Sequence, residues 1–255
     1  MKNQVNILYK PSSFFLLLCL SSSSIATSHH EPHWGYEGES GPAYWGELSE
    51  DYKLCKKGMK QSPINITQTV TQKSLPATLN FSLVEQTIQN NGHTIQVSAP
   101  GGSSVALNEQ QFKLVQFHVH TPSENTIEGQ PFPLEFHFVH KNEEGRLAVV
   151  AVMVKEGLSN SAIAGLIENA PSDAGQSASI DERISVESLF PFFKDYYSYE
   201  GSLTTPPCSE DVKWLVMKSP VTASASQIFS LNEIIGHSNN RPVQQLNDRV
   251  IFESN

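Results

Sequence analysis

His118 and His120 stand two residues apart in the run Gln116-Phe117-His118-Val119-His120, and His137 lies in a second run, Leu134-Glu135-Phe136-His137-Phe138-Val139-His140. Both runs are rich in β-branched and aromatic residues, the composition of a strand. Side chains alternate between the two faces of a strand, so His118 and His120 project from one face, one pleat apart. A third imidazole from a neighbouring strand would complete a tripod of nitrogens that leaves a tetrahedral Zn2+ one open position, the arrangement of a catalytic zinc rather than a structural one. No cysteine lies near these histidines in the sequence, which argues against a closed structural site.

A histidine in a strand is commonly a packed core residue, so the neighbours matter. Gln116 lies two residues before His118 and Glu135 two before His137, each on the face of its histidine. A ligating imidazole needs its second ring nitrogen bonded to a carboxylate, amide or carbonyl, which fixes tautomer and orientation. Gln116 and Glu135 are placed to do this. His140, three residues after His137, points to the opposite face and is assigned to packing and hydrogen bonding.

With these runs go Pro122-Ser123-Glu124-Asn125 and Tyr199-Glu200-Gly201-Ser202-Leu203-Thr204-Thr205-Pro206-Pro207-Cys208, and, further out, His33-Trp34-Gly35-Tyr36, Gly41 to Gly46, Gln61-Ser62-Pro63-Ile64, Asn90-Asn91-Gly92-His93, Trp214 and Arg241-Pro242-Val243-Gln244. In order and spacing the set resembles the α-class carbonic anhydrases over essentially the whole mature chain. Thr121 and Asn125 stand where animal members usually carry Trp and His, and the segment from Glu124 to Leu134 is short; the resemblance is to bacterial, algal and plant members.

That resemblance implies a lyase: reversible hydration of carbon dioxide to bicarbonate and a proton by attack of zinc-bound hydroxide, with Zn2+ on His118, His120 and His137. The pKa of zinc-bound water, about 7 in carbonic anhydrases, is an established value for the family. Thr204 would accept a hydrogen bond from the nucleophile and donate its own proton to Glu124. Asn239 joins Gln116 and Glu135 behind the ligands. Val139, Val149, Leu203, Val212 and Trp214, with Thr205, would border the carbon dioxide pocket. In an unrelated strand protein these aliphatic positions would be plain core; Val139 has the best independent support, since it shares a face with His137. His93 matches the proton shuttle, its ordinary pKa near 6.5 suiting transfer to buffer, against the alternative of an exposed turn histidine. Tyr36, Asn91, Gln96 and Thr205 would hold the water chain between. The resemblance also implies cis peptides at Ser62-Pro63 and Pro206-Pro207. The competing reading is a non-catalytic storage or binding protein of the same fold, related to the tuber dioscorins, which typically lack part of the tripod.

Lys2 and Lys10 precede an apolar stretch from Phe14 to Leu20 and small residues ending at Ala26, the pattern of a secretory signal over 1–26. It is too short to span a bilayer as a permanent helix. One domain is expected over 27–255, with no membrane span, exported to a periplasm, an organelle lumen or the cell exterior. Removal of two lysines and no acid would take the formal charge from −9 to −11, and an acidic surface repels the phosphates of nucleic acids. Cys55 and Cys208 remain; in an oxidising compartment such a pair forms a disulfide, the alternative being two buried thiols. Carbon dioxide and bicarbonate are the expected partners, and monomer or dimer is left open. Asn65-Ile66-Thr67 and Asn80-Phe81-Ser82 are acceptor motifs only in a glycosylating pathway. His29, His30 and His33 crowd the new N-terminus, where a solvated tail is expected.

The elements that must position the histidines read as strands over 91–98, 103–107, 112–120, 134–140, 147–154 and 212–217. Leu147 to Val154 is apolar on both faces, as a doubly covered central strand would be. Helical signals are few: a capping box at Ser224-Ala225-Ser226-Gln227 opens a helix with Ile228, Leu231 and Ile235 on one stripe, and Ser161 to Asn169 is weaker. The fold class is mainly β with α+β character; the large, twisted, mostly antiparallel sheet with short peripheral helices, and a zinc at the floor of a conical cleft, come from the resemblance.

Overall fold

The run Leu147–Glu156 shows why this chain builds a sheet: it is buried from Ala148 to Val154 and carries Val150, Val152 and Val154 on one face and Val149, Ala151 and Met153 on the other. It pairs antiparallel with Leu134–Lys141 on one side and parallel with Glu210–Met217 on the other. A computed structural model describes residues 1, 32–72, 77–82, 85–107, 109–180 and 183–254. All but the first residue of the expected export signal, together with His29 and His30, lies outside the described residues.

Among the described residues the main sheet has 13 strands. Its spine runs from Ser177–Ser179 through Thr87–Asn90, Ile95–Ser98, Gln110–His120, Leu134–Lys141, Leu147–Glu156, Glu210–Met217, Tyr196–Ser202 and Ile251–Glu253 to Thr69–Thr71. Most neighbours are antiparallel, as expected; the parallel exceptions are Leu147–Glu156 with Glu210–Met217 and with Val221–Ala223, and Ile251–Glu253 with Thr69–Thr71.

The two faces bury different things. One carries the larger core, with Phe117, Phe136, Phe138, Val150, Val152 and Leu215, covered by Ile163 and Leu166 of the helix Ser161–Asn169 and by Leu231 of Ala225–Ile235. The other carries Val149, Ala151, Met153, Val212, Trp214 and Val216, and the three histidines emerge on that side. In the Gln110–His120 strand the pairing register shifts between Leu114 and Gln116. Leu114 pairs with His140 on the first face, whereas Gln116 pairs with Val139 on the second. An extra residue, Val115, therefore changes the phase of the strand, as a bulge does, and turns Gln116, His118 and His120 toward the site.

One local expectation is refined and another holds. The run 91–98 is not one strand: Asn91 Oδ1 accepts from the backbone N–H of His93 at 2.9 Å and of Thr94 at 2.9 Å, and Gly92 takes φ +83°. The result is a turn that puts His93 at the end of a hairpin between Thr87–Asn90 and Ile95–Ser98. The capping box at Ser224 and Gln227 forms as expected, and Gly236 closes the helix at φ +78°. The second helix is capped by Asn160, whose Oδ1 accepts from the N–H of Ala162 and of Ile163.

Candidate metal centre

His118 pairs directly with His137 across the two central strands, and His120 with Glu135. The three rings lie 4.5 to 5.4 Å apart between centroids, and one ligand atom from each falls within 4.8 Å of the others. Their second nitrogens are taken up from behind. His118 Nδ1 stands 2.8 Å from Gln116 Oε1, and His120 Nδ1 stands 2.7 Å from the Asn239 carbonyl oxygen. Both oxygens only accept, so both Nδ1 atoms carry the hydrogen and both Nε2 lone pairs are free. Glu135 Oε1 lies 3.1 Å from His137 Nε2, close although not aligned as a hydrogen bond, which leaves Nδ1 as the free atom of that ring.

Burial holds His118 and His137 well below the ordinary histidine pKa, and the neighbouring imidazoles push the same way; His120 is lowered too, against the Asn239 carbonyl and Glu135. The rings are thus neutral, the form that binds metal. His120 Nε2 is buried with no hydrogen-bond partner. Leaving such a group unsatisfied costs roughly 1–3 kcal/mol, and a cation among the three nitrogens removes that cost. The donor set, three imidazoles and no thiolate, fits a zinc with an open position.

Glu124 sits beside the tripod, its Oε2 3.5 Å from His120 Nε2 and 3.7 Å from His137 Nδ1. Burial pushes its carboxyl up to about 8, opposed by hydrogen bonds from the Thr204 side chain and the Arg241 backbone; a cation on the tripod would oppose burial too. Arg241 is itself buried, its guanidinium donating to Gln61 Oε1 at 2.9 Å, to Ser62 O at 2.8 Å and to Cys55 O at 2.8 Å. Its backbone N–H reaches Glu124 Oε1 at 2.8 Å. The same residue therefore fixes Glu124 and the segment of Cys55.

Thr204 lies in the loop after Tyr196–Ser202, and four residues on Cys208 is bridged to Cys55 by a disulfide. Cys208 N–H donates to Thr205 O at 2.8 Å, and the peptides Ser62-Pro63, Thr121-Pro122 and Pro206-Pro207 are cis. Val139 pairs with Val149 and Val149 with Trp214; with Val212 and Leu203 they form one apolar cluster, and the Trp214 ring meets His137 edge-on at 4.9 Å. Gln96 pairs with His118. His93 is half-buried, its ring stacked on Trp34 at 3.9 Å and facing Tyr36 at 6.2 Å. His140 lies on the other face, its Nδ1 2.8 Å from Phe138 O, and burial pushes it down to about 4.

A family model described as eukaryotic-type carbonic anhydrase matches residues 40–255. The chain belongs to that family. A carbonic anhydrase of Pectobacterium atrosepticum is 46% identical to it over 94% of this chain and 98% of its own length. The α-carbonic anhydrase of Thermovibrio ammonificans, solved with the inhibitor sulfanilamide, superposes with TM-score 0.85 at 42% identity, over 87% of this chain and 99% of that one. A dioscorin complexed with ascorbate superposes at 0.81 and 29% identity, over 87% and 97%, so this fold also occurs in a protein not named a carbonic anhydrase. The sequence reading assigned no role to Arg241, Asn125 or His237. Asn125 donates its amide to Glu135 Oε1 at 2.7 Å and accepts from Tyr199 OH at 3.0 Å. Such long-range pairings leave no local signal.

Proposed function

We propose that this carbonic anhydrase hydrates carbon dioxide reversibly to bicarbonate and a proton, with Zn2+ held by His118 Nε2, His120 Nε2 and His137 Nδ1. The observation that carries the reading is the set of three neutral imidazoles with ligand atoms close together, two of them hydrogen-bonded from behind to Gln116 and the Asn239 carbonyl and the third with Glu135 3.1 Å behind it. When bound, zinc supplies an acidified water as the nucleophile.

The chain's own residues supply orientation, a dry wall and a proton path. The Thr204 hydroxyl has one hydrogen, and on this reading it goes to Glu124, once a cation on the tripod has favoured the ionised carboxylate. Toward the reacting oxygen Thr204 can then only accept, which directs that oxygen's remaining lone pair at the substrate. Val139, Val149, Leu203, Val212 and Trp214 offer a small apolar gas a surface from which water is excluded. Tyr36, Asn91, Gln96 and Thr205 hold the water through which the proton reaches His93, whose half-buried ring can hand it to buffer.

Residues 1–26 act as an export signal on this reading, with the catalytic domain in 27–255; the disulfide between Cys55 and Cys208 fits an oxidising destination. Stopped-flow carbon dioxide hydration with metal analysis on the purified mature chain tests the proposal. One zinc per chain with rapid hydration is expected; a chain that binds no zinc and does not hydrate carbon dioxide would be a binding protein on the same fold.

A further inference from the structure

His237 lies 144 residues from His93 in sequence and beside it in the fold. It follows Gly236, which ends the helix Ala225–Ile235. Its Nε2 stands 3.2 Å from the carbonyl oxygen of Gly92, the residue before His93, and its Nδ1 stands 3.2 Å from Ser238 O. Its ring is 5.8 Å from Tyr36, which also faces His93 at 6.2 Å. Two residues on, Asn239 donates its amide to His93 O at 2.9 Å and presents its own carbonyl to His120. The segment 237–239 thus fastens the His93 turn to the strand of His120.

Two features of His237 exceed what a fastener needs. It is half-exposed between exposed neighbours, so a buffer base can reach it. Both ring nitrogens face carbonyl oxygens; a neutral imidazole donates from one and sets a lone pair against the other, whereas the imidazolium donates to both.

We propose that His237 is a second proton-carrying residue, taking the proton that His93 brings from the site and passing it to solvent. The proposal rests on the reading of His93 as the shuttle. In the step an N–H bond of the His93 imidazolium breaks and an N–H bond of His237 forms, the proton passing through intervening water, and a buffer base then removes that proton. Among the described residues the groups that face His93 are His237, His33, Tyr36 and Trp34. Burial lowers the affinity of His93 for a proton most; burial also keeps Tyr36 neutral and Trp34 has no charge, so among the described residues the charges that act on His93 are those of His237 and His33, and each lowers that affinity further. His237 acts through His93, and is a positioning and relay residue rather than one that meets substrate.

The test compares His237→Gln and His237→Ala, in the zinc-loaded protein, with His93→Ala and with His93→Ala/His237→Ala. Gln keeps a donor for Gly92 O but carries no proton. Expected for both single His237 variants is a fall in kcat of about three- to tenfold, below the roughly 10²- to 10⁴-fold of a group that meets the reacting atoms. kcat/KM should hold, and no further loss should appear on top of His93→Ala. The His93 ring, followed by NMR, should titrate at higher pH in both His237 variants, because a repelling charge has gone. Full kcat in His237→Gln with loss in His237→Ala would reduce His237 to a pin for the turn and overturn the relay, as would full kcat in both. Undiminished kcat in His93→Ala would remove the shuttle reading itself, and this inference with it.

Discussion

Glu135 approaches His137 from behind the ring, one carboxylate oxygen 3.1 Å from Nε2, on the side away from the nitrogen that faces the other two histidines. The same carboxylate accepts from the backbone N–H of Glu124 at 2.7 Å and of Asn125 at 2.8 Å, and from the Asn125 amide at 2.7 Å. One buried side chain thus backs a candidate metal ligand and holds the backbone that carries Glu124. Glu135→Ala would leave three donors without their acceptor and His137 without its partner. We expect zinc affinity to fall by roughly ten- to a hundredfold, read as faster zinc loss to a chelator. Unchanged zinc retention would show that Glu135 does not support the site.

The pair Thr204 and His93 separates the chemical step from removal of the proton. Thr204 interacts with the buried Glu124 carboxyl beside the tripod, so Thr204→Ala should lower kcat/KM and kcat together, with no recovery in any buffer. His93 is half-buried against Trp34. His93→Ala should leave kcat/KM nearly intact and lower kcat tenfold or more, toward the roughly 10²- to 10⁴-fold that positioned acid–base groups typically supply. Small imidazole buffers at high concentration should restore part of the loss and bulky ones less. If His93→Ala lowered kcat/KM as severely as Thr204→Ala, the proton would leave by another path.

What the sequence made legible follows the range of the interactions. His118, His120 and His137 could be read because strand alternation is local, and Gln116 and Glu135 because they lie two residues from the rings they support. Asn239 could be named only through the resemblance, since its contact with His120 joins segments 119 residues apart. The strand Tyr196–Ser202 was not read from its pattern. Tyr, Ser and Gly alternate there without a clear apolar face, and its pairing with Glu210–Met217 supplies the order. The turn at His93 was hidden inside an expected strand because one Asx side chain and one glycine redirect the backbone against an otherwise strand-like run.

The Cys55–Cys208 bridge closes a loop of 153 residues of sequence separation, for which chain entropy allows a stabilisation of roughly 4–5 kcal/mol. Its consequence should extend to the site, since Cys208 N–H holds Thr205 O and Gln61 reaches Cys208 O at 3.0 Å. A Cys55→Ser/Cys208→Ser variant should melt markedly lower than the parent and lose kcat/KM, with zinc content kept, because the histidines stand on the sheet and Thr204 on the loop. Equal melting temperatures with and without reductant would count against the bridge as a stabilising link.

His140 gives a pH dependence whose sign can be worked out. It is buried on the face opposite the tripod, and burial pushes it down to about 4 from an ordinary 6.5, against hydrogen bonds to the carbonyls of Phe138 and Ala148. Between these values the unfolded chain binds a proton there that the folded chain refuses, so stability is complete above about 6.5 and falls as the pH drops toward 4. A shift of this size corresponds to about 3 kcal/mol at most. The ligand histidines are lowered in the same direction, whereas Glu124, raised to about 8, favours the fold at lower pH. A comparison with His140→Gln cancels those shared contributions. Gln can still donate to the Phe138 carbonyl but has no proton to gain, so urea unfolding of the two zinc-loaded proteins should show the parent losing stability more steeply between pH 6.5 and 4. Parallel curves across that window would mean that His140 is protonated in the folded protein as readily as in the unfolded chain, and that its burial carries no acid sensitivity.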